Sequence, residues 1–152
     1  MRVWRICRRA QVVTALDGIG GMYVSGRWHF KGRRVVYTAS SAALAALEVL
    51  VHVDPLTAPS DLRLLAIEVP DDLGFESVDV PALPKNWQMT PAPLELQALG
   101  TAWLRGMRTA ALWVPPAIVP AERNFLLNPQ HPDIVRVRLN EDQPFSFDPR
   151  LV

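Results

Sequence analysis

Three side chains set the chemical question in this chain. Arg27 lies in the pentapeptide SGRWH, Tyr37 in the apolar run VVYT, and Glu48 in AALAALEVLVH. An ionised carboxylate is rarely buried unless it is paired or functional. The neighbours Leu44, Ala45, Leu47, Val49 and Val51 leave Glu48 little polar face of its own. His52 stands at i+4 from it, so Ser41, Glu48 and His52 are expected to form a polar strip along a helix, like the wall of a cleft. Such carboxylates concentrate at functional sites. The donor fork of an arginine suits a phosphate or a carboxylate. A tyrosine inside an apolar strand needs a partner for its hydroxyl when buried.

The elements that must position these residues follow from the pattern. Met1 to Ile6 alternates as a strand, and Val35 to Thr38 is a short buried one. Ser40 and Ser41 offer an N-cap for a helix from Ala42 to His52. Thr14 to Gly26, with Gly18, Gly20, Gly21 and Gly26, reads as a mobile loop. Leu62 to Val69 predicts a strand ended by Pro70, and Asp71 to Pro93 an irregular surface excursion. Leu94 to Arg108 carries Leu96, Leu99, Trp103, Leu104 and Met107 at helical spacing. Ala110 to Val114 predicts a strand stopped by Pro115-Pro116, and Phe125 to Leu127 is short and apolar before a turn at Asn128-Pro129. Ile134 to Leu139 (IVRVRL) alternates as a half-exposed strand, and Phe145 to Val152 is a tail. About five or six strands and two main helices, not regularly alternating, predict an α+β fold.

Composition bounds the possibilities. At 152 residues the chain fits one domain, 1–152, and 49% hydrophobic residues suffice for a core. The net charge of +1 is too balanced to suggest nucleic acid as a partner. Lys31 and Lys85 are the only lysines among 16 basic residues, a bias that genome composition accounts for as readily as anion recognition. Cys7 stands alone, so no intrachain disulfide forms. The opening MRVWRI does not read as a leader, with no charged segment followed by a long apolar one, and no apolar run approaches the roughly 20 residues of a membrane span, so a cytoplasmic location is expected. The glycines of GIGG lack the dinucleotide fingerprint, no Walker A or G-x-S-x-G sequence occurs, and His29, His52 and His131 lack zinc-ligand spacing.

The ordered blocks VWRI, SGRWH, VVYTASS, ALEVLVH and VPPAIVPAERNFLLNPQHPD resemble the RES-domain family over nearly the whole chain. Its members are toxins of bacterial type II toxin–antitoxin pairs, encoded beside an Xre-type antitoxin. The resemblance implies an ADP-ribosyltransferase-like mixed β core with surrounding helices, as in diphtheria toxin. It implies NAD+ as substrate, cleaved at the nicotinamide N-glycosidic bond, with no metal. Hydrolysis or phosphorolysis would deplete NAD+ and arrest growth. The alternative is mono-ADP-ribosylation of a protein such as phosphoribosyl pyrophosphate synthetase.

By the same resemblance Arg27 matches the family arginine, Tyr37 the strand tyrosine and Glu48 the glutamate. Glu48 would stabilise the oxocarbenium-like ribose, Arg27 would clamp the pyrophosphate or the ribose, and Tyr37 would pack on nicotinamide or ribose. Trp28, Asn124 and Asn128 would shape the NAD pocket. The family serine is the departure: Val114-Pro115-Pro116-Ala117 stands where V-P-S-A is expected, and proline has neither hydroxyl nor N–H. That departure is the best support for a competing reading, a non-catalytic NAD- or partner-binding module. An Xre-type antitoxin that blocks the site is the expected partner, in a larger complex that can hold a toxin dimer, with neither nucleic acid nor membrane bound directly.

Overall fold

The computed structural model describes residues 1–151. Seven strands and two α-helices make up its framework: β1 (Arg2–Arg8), β2 (Val36–Ala39), α1 (Ala42–Leu50), β3 (Leu62–Glu68), β4 (Phe75–Ser77), α2 (Leu94–Gly106), β5 (Ala111–Val114), β6 (Asn124–Leu127) and β7 (Arg138–Pro144). The strands form one mixed sheet in the order β4-β5-β6-β2-β1-β3-β7. Only β4 and β5 run parallel; every other neighbouring pair is antiparallel. The α+β expectation is borne out.

The pleat sorts side chains between two faces. Val3, Val36, Leu65, Ile67, Phe125 and Leu127 build one apolar layer. On the opposite face Trp28, Trp87, Leu96, Trp103, Leu112 and Leu126 pack under α2. A smaller cluster seats Leu44 and Ala45 of α1 on Ala39, Trp4 and Ile6. All four residues of β2 pair with β6, whereas β2 meets β1 only at Trp4 and Ala39. The sheet is therefore nearly divided between β2 and β1.

Local chemistry sets the helix limits. Ser41 Oγ accepts from the Leu44 N–H at 3.1 Å, a side-chain N-cap. The helix stops at Leu50, with Val51 as its C-cap. His52 falls in an exposed turn beyond it, so Glu48 and His52 do not share a helical face, and the expected polar strip is corrected to Glu48 alone. Helix α2 ends at Met107, whose φ of 52° is left-handed. Gly100 of α2 lies against Trp28, where an added Cβ would overlap the Trp28 carbonyl oxygen.

Three other expectations need correction. The glycine-rich segment is folded rather than free: it contains a 3-10 turn at Ile19–Met22, and the Gly32 and Arg33 N–H groups donate to the Gly21 carbonyl. The excursion after Pro70 includes β4, a short strand too polar to announce itself. IVRVRL is not one strand. Pro132–Arg136 forms a 3-10 turn capped by His131, whose Nδ1 accepts from the Asp133 N–H, and β7 begins only at Arg138.

Candidate active site

Arg27 stands at the apex of a tight turn. The Gly26 N–H donates to the His29 carbonyl at 3.1 Å and closes Gly26 to His29 as an isolated β-bridge. Arg27 Nη1 donates to the carbonyls of Trp87 at 2.8 Å and Met89 at 3.0 Å, and Nη2 reaches Thr90 Oγ1 at 3.4 Å. A guanidinium has five N–H donors, so Nε and one Nη2 hydrogen stay uncommitted. No carboxylate among the described residues forms a salt bridge with it. Partial burial lowers its pKa, opposed by the charge of Glu48 and by Tyr37.

Tyr37 projects from β2, with its hydroxyl fully engaged. It accepts from the Trp28 N–H at 3.2 Å and lies 2.8 Å from His29 Nδ1. His29 Nε2 is 3.0 Å from the Val24 carbonyl, which can only accept, so Nε2 carries the proton. In the neutral ring Nδ1 then accepts, and the Tyr37 O–H donates to it. Burial pushes the Tyr37 phenol well up, while the Trp28 N–H and Arg27 act against that shift and Glu48 adds to it. Arg27, Tyr37 and Glu48, scattered in sequence, thus lie within one another's electrostatic reach.

Glu48 sits near the end of α1 and is half-buried rather than enclosed. Its Oε1 accepts from Asn124 Nδ2 at 2.7 Å. Its Oε2 takes no hydrogen bond from the described residues. Asn124, at the start of β6 and 9% exposed, is brought to Glu48 because its strand partner is Ala39, on which α1 packs. Asn124 Oδ1 is buried without a partner.

The side chains of Trp28 and Asn128 lie elsewhere. The Trp28 side chain is 1% exposed and belongs to the apolar layer under α2, so its ring offers no face to a ligand. Asn128 is fully buried with its amide spent on the scaffold. Nδ2 donates to the Leu104 carbonyl and Oδ1 accepts from the Gln130 N–H, tying the end of α2 to the turn after β6.

Two residues here were not singled out by sequence. His29 lacks zinc-ligand spacing in the sequence, yet its ring organises the Arg27 turn. Arg5 is a charge inside an apolar strand, the same anomaly that drew attention to Glu48. Its Nη1 donates to the Tyr37 carbonyl at 2.9 Å where β1 and β2 diverge, and its buried Nε has no partner. Burial lowers its pKa, with Cys7 acting weakly against that.

Pro116 is buried in the loop after β5. The adjoining Pro115 lines a depression of about 370 Å³ with Asp79, Glu122 and Arg123. Glu122 Oε2 accepts from Ser40 Oγ at 3.0 Å and Ser41 Oγ at 3.3 Å, which anchors this loop to the start of α1. Among the described residues no group of three His, Cys, Asp or Glu is placed to hold a metal ion. Among the described residues no helix is long and apolar enough to cross a membrane.

Comparison with known proteins agrees with this architecture. The RES domain profile matches residues 2–148. A Prs ADP-ribosylating toxin of a Sphingobium species is 40% identical, over 98% of this chain and 95% of its own. Proteins named Toxin Res are 42% identical in Pseudomonas putida and 38% identical in Yersinia enterocolitica, each alignment covering 99% of both chains. A chain in the crystal structure of the M. tuberculosis MbcT–MbcA toxin–antitoxin complex shares the fold at a TM-score of 0.75 and 18% identity, covering 95% of this chain and 84% of that one. The chain belongs to the RES-domain family.

Proposed function

We propose that this protein is the toxin of a toxin–antitoxin pair and cleaves the nicotinamide N-glycosidic bond of NAD+. The observation that carries the reading is the carboxylate of Glu48. One oxygen is held by Asn124, the other is uncommitted, and the cation of Arg27 and the ring of Tyr37 are in reach. As the C1′–N bond breaks, its electron pair goes to the nicotinamide ring nitrogen and nicotinamide leaves neutral. Positive charge then develops on the ribose, and a fixed carboxylate stabilises it more in the transition state than in the ground state. The free Nε and Nη2 hydrogens of Arg27 suit the pyrophosphate. With its hydroxyl occupied, Tyr37 contributes its ring as a packing surface. The acceptor oxygen bonds to C1′ and releases its proton.

With water or phosphate as acceptor the outcome is NAD+ depletion. The Sphingobium relative's name, Prs ADP-ribosylating toxin, favours a second reading in which a protein side chain is the acceptor. An antitoxin partner is supported by the structural neighbour, which is a toxin–antitoxin complex. The decisive experiment is nicotinamide release from NAD+ by purified protein, with the ribosyl product identified by mass spectrometry. Glu48→Gln keeps the Asn124 contact geometry and removes the charge, and turnover is expected to fall about 100-fold or more. Wild-type turnover in Glu48→Gln would sink the assignment. Tight NAD+ binding without nicotinamide release in the wild type would favour the non-catalytic reading that Pro116 raised.

A further inference from the structure

We infer that His29 is the positioning residue of Arg27: its Nδ1 lone pair, together with the Tyr37 hydroxyl, sets the turn that presents the Arg27 guanidinium. The inference rests on the NAD-cleaving reading of the same site.

The turn is pinned on both sides of Arg27. On one side, the Gly26 N–H donates to the His29 carbonyl at 3.1 Å and lies 3.2 Å from His29 Nδ1, while the Gly26 carbonyl accepts from Gln97 Nε2 at 2.9 Å. On the other side, the Trp28 N–H donates to the Tyr37 hydroxyl, which donates onward to the same His29 Nδ1. The N–H groups of the two residues flanking Arg27 therefore converge on one imidazole nitrogen, that of Gly26 directly and that of Trp28 through the Tyr37 hydroxyl. That nitrogen is an acceptor only because Nε2 keeps the proton for the Val24 carbonyl. Packing leaves little slack. His29 is 3% exposed, and a Cβ on residue 26 would stand 2.5 Å from the Tyr37 hydroxyl and 2.9 Å from His29 Nδ1, so only glycine fits there. Gly26, Arg27, Trp28 and His29 are thus a unit built around a tyrosine hydroxyl. Its one outward-reaching member is Arg27, which leans on the Trp87 and Met89 carbonyls.

Two replacements separate the ring nitrogens. Asparagine places an acceptor oxygen near the position of Nδ1, whereas glutamine places a donor near that of Nε2 and leaves Nδ1 unreplaced. Misplacing a binding group by about 1 Å can lower a rate constant about 100-fold. His29→Gln is therefore expected to lower kcat/KM for NAD+ by about that factor, chiefly through KM, because Arg27 is a binding clamp. His29→Asn is expected to keep kcat/KM within about threefold, since it restores the acceptor. A purely structural histidine, needed for its tie to Val24, predicts the reverse order of the two variants, and that order overturns the inference. The two variants are also compared by amide hydrogen exchange, which needs no catalysis. The Gly26 and Trp28 amides are expected to stay protected in His29→Asn and to exchange at least about tenfold faster in His29→Gln. If the wild type neither binds nor turns over NAD+, the functional reading fails, and the exchange result alone decides the positioning role. Equal protection in both variants overturns it.

Discussion

Asn124 holds Glu48 through one short hydrogen bond, Nδ2 to Oε1 at 2.7 Å, while its own Oδ1 is buried without a partner. A carboxylate only accepts, so the amide cannot turn over without facing oxygen to oxygen. A buried polar group left unsatisfied costs about 1–3 kcal/mol, and the fold carries that cost to keep the carboxylate fixed. Asn124 thus does for Glu48 what packing does for a core side chain.

Asn124→Asp is the sharp test of that relationship. It is nearly isosteric, but it sets two carboxylates at hydrogen-bonding distance, and such pairs share a proton. Turnover of NAD+ at neutral pH is expected to fall about 100-fold. The acid limb of the pH–rate profile is expected to move upward, because the pair must lose its shared proton before the site recovers. A profile that overlays the wild type would show that the Asn124 contact is incidental.

The pH dependence of stability reports on His29. Burial holds its pKa in the fold below the ordinary value of 6.5. As the pH falls, the unfolded chain takes up the proton first, so stability present above 6.5 is lost as the pH drops through the folded value. The titratable group in contact with the ring is Tyr37, and Arg27 is the charge in the same turn. Thermal unfolding of the wild type is expected at a lower midpoint at pH 5 than at pH 7.5, with a smaller drop in His29→Asn. Equal drops would assign the effect to other groups.

Helix α2 is placed by the absence of one methyl group. In Gly100→Ala the new Cβ would overlap the Trp28 carbonyl oxygen, a backbone atom that moves only with the Arg27 turn. Overpacking against such a partner is expected to cost about 3 kcal/mol, read as a lowered midpoint in chemical denaturation. Because the displaced Trp28–His29 peptide belongs to the Arg27 turn, the KM for NAD+ should rise in the same variant. An unaffected midpoint would mean that α2 can back away freely.

Much of the scaffold was legible because it rests on local pattern. Alternation marked β1, an apolar run ended by Pro70 marked β3, the serine cap marked α1, and the spacing of Leu96, Trp103 and Leu104 marked α2. What escaped is held by partners distant in sequence. All of β7 is exposed, and it exists as a strand because it lines the edge of β3, helped by Arg63 with Asp142 and Arg2 with Glu141. The same division runs through the site. Arg27, Tyr37 and Glu48 could be nominated by residue type and family likeness. Trp28 and Asn128 could not be told from core residues by type, and core is where both lie. His29 and Arg5 gain their significance only once the chain brings each against Tyr37.

The near-division of the sheet has a mechanical consequence. Strands β4, β5, β6 and β2 form one leaf and β1, β3 and β7 another, stitched in backbone terms at Trp4 and Ala39 alone. Tyr37 and Asn124 ride on the first leaf and Arg5 on the second, with the Arg5–Tyr37 hydrogen bond as a latch beside the stitch. Helix α1, which carries Glu48, spans the seam by packing on Trp4 and Ile6 from one leaf and Ala39 from the other. Shear between the leaves would therefore break little main-chain bonding and would act on the packing that seats Glu48's helix. A ligand held by residues of both leaves would act as a clasp across the line where main-chain pairing is sparsest.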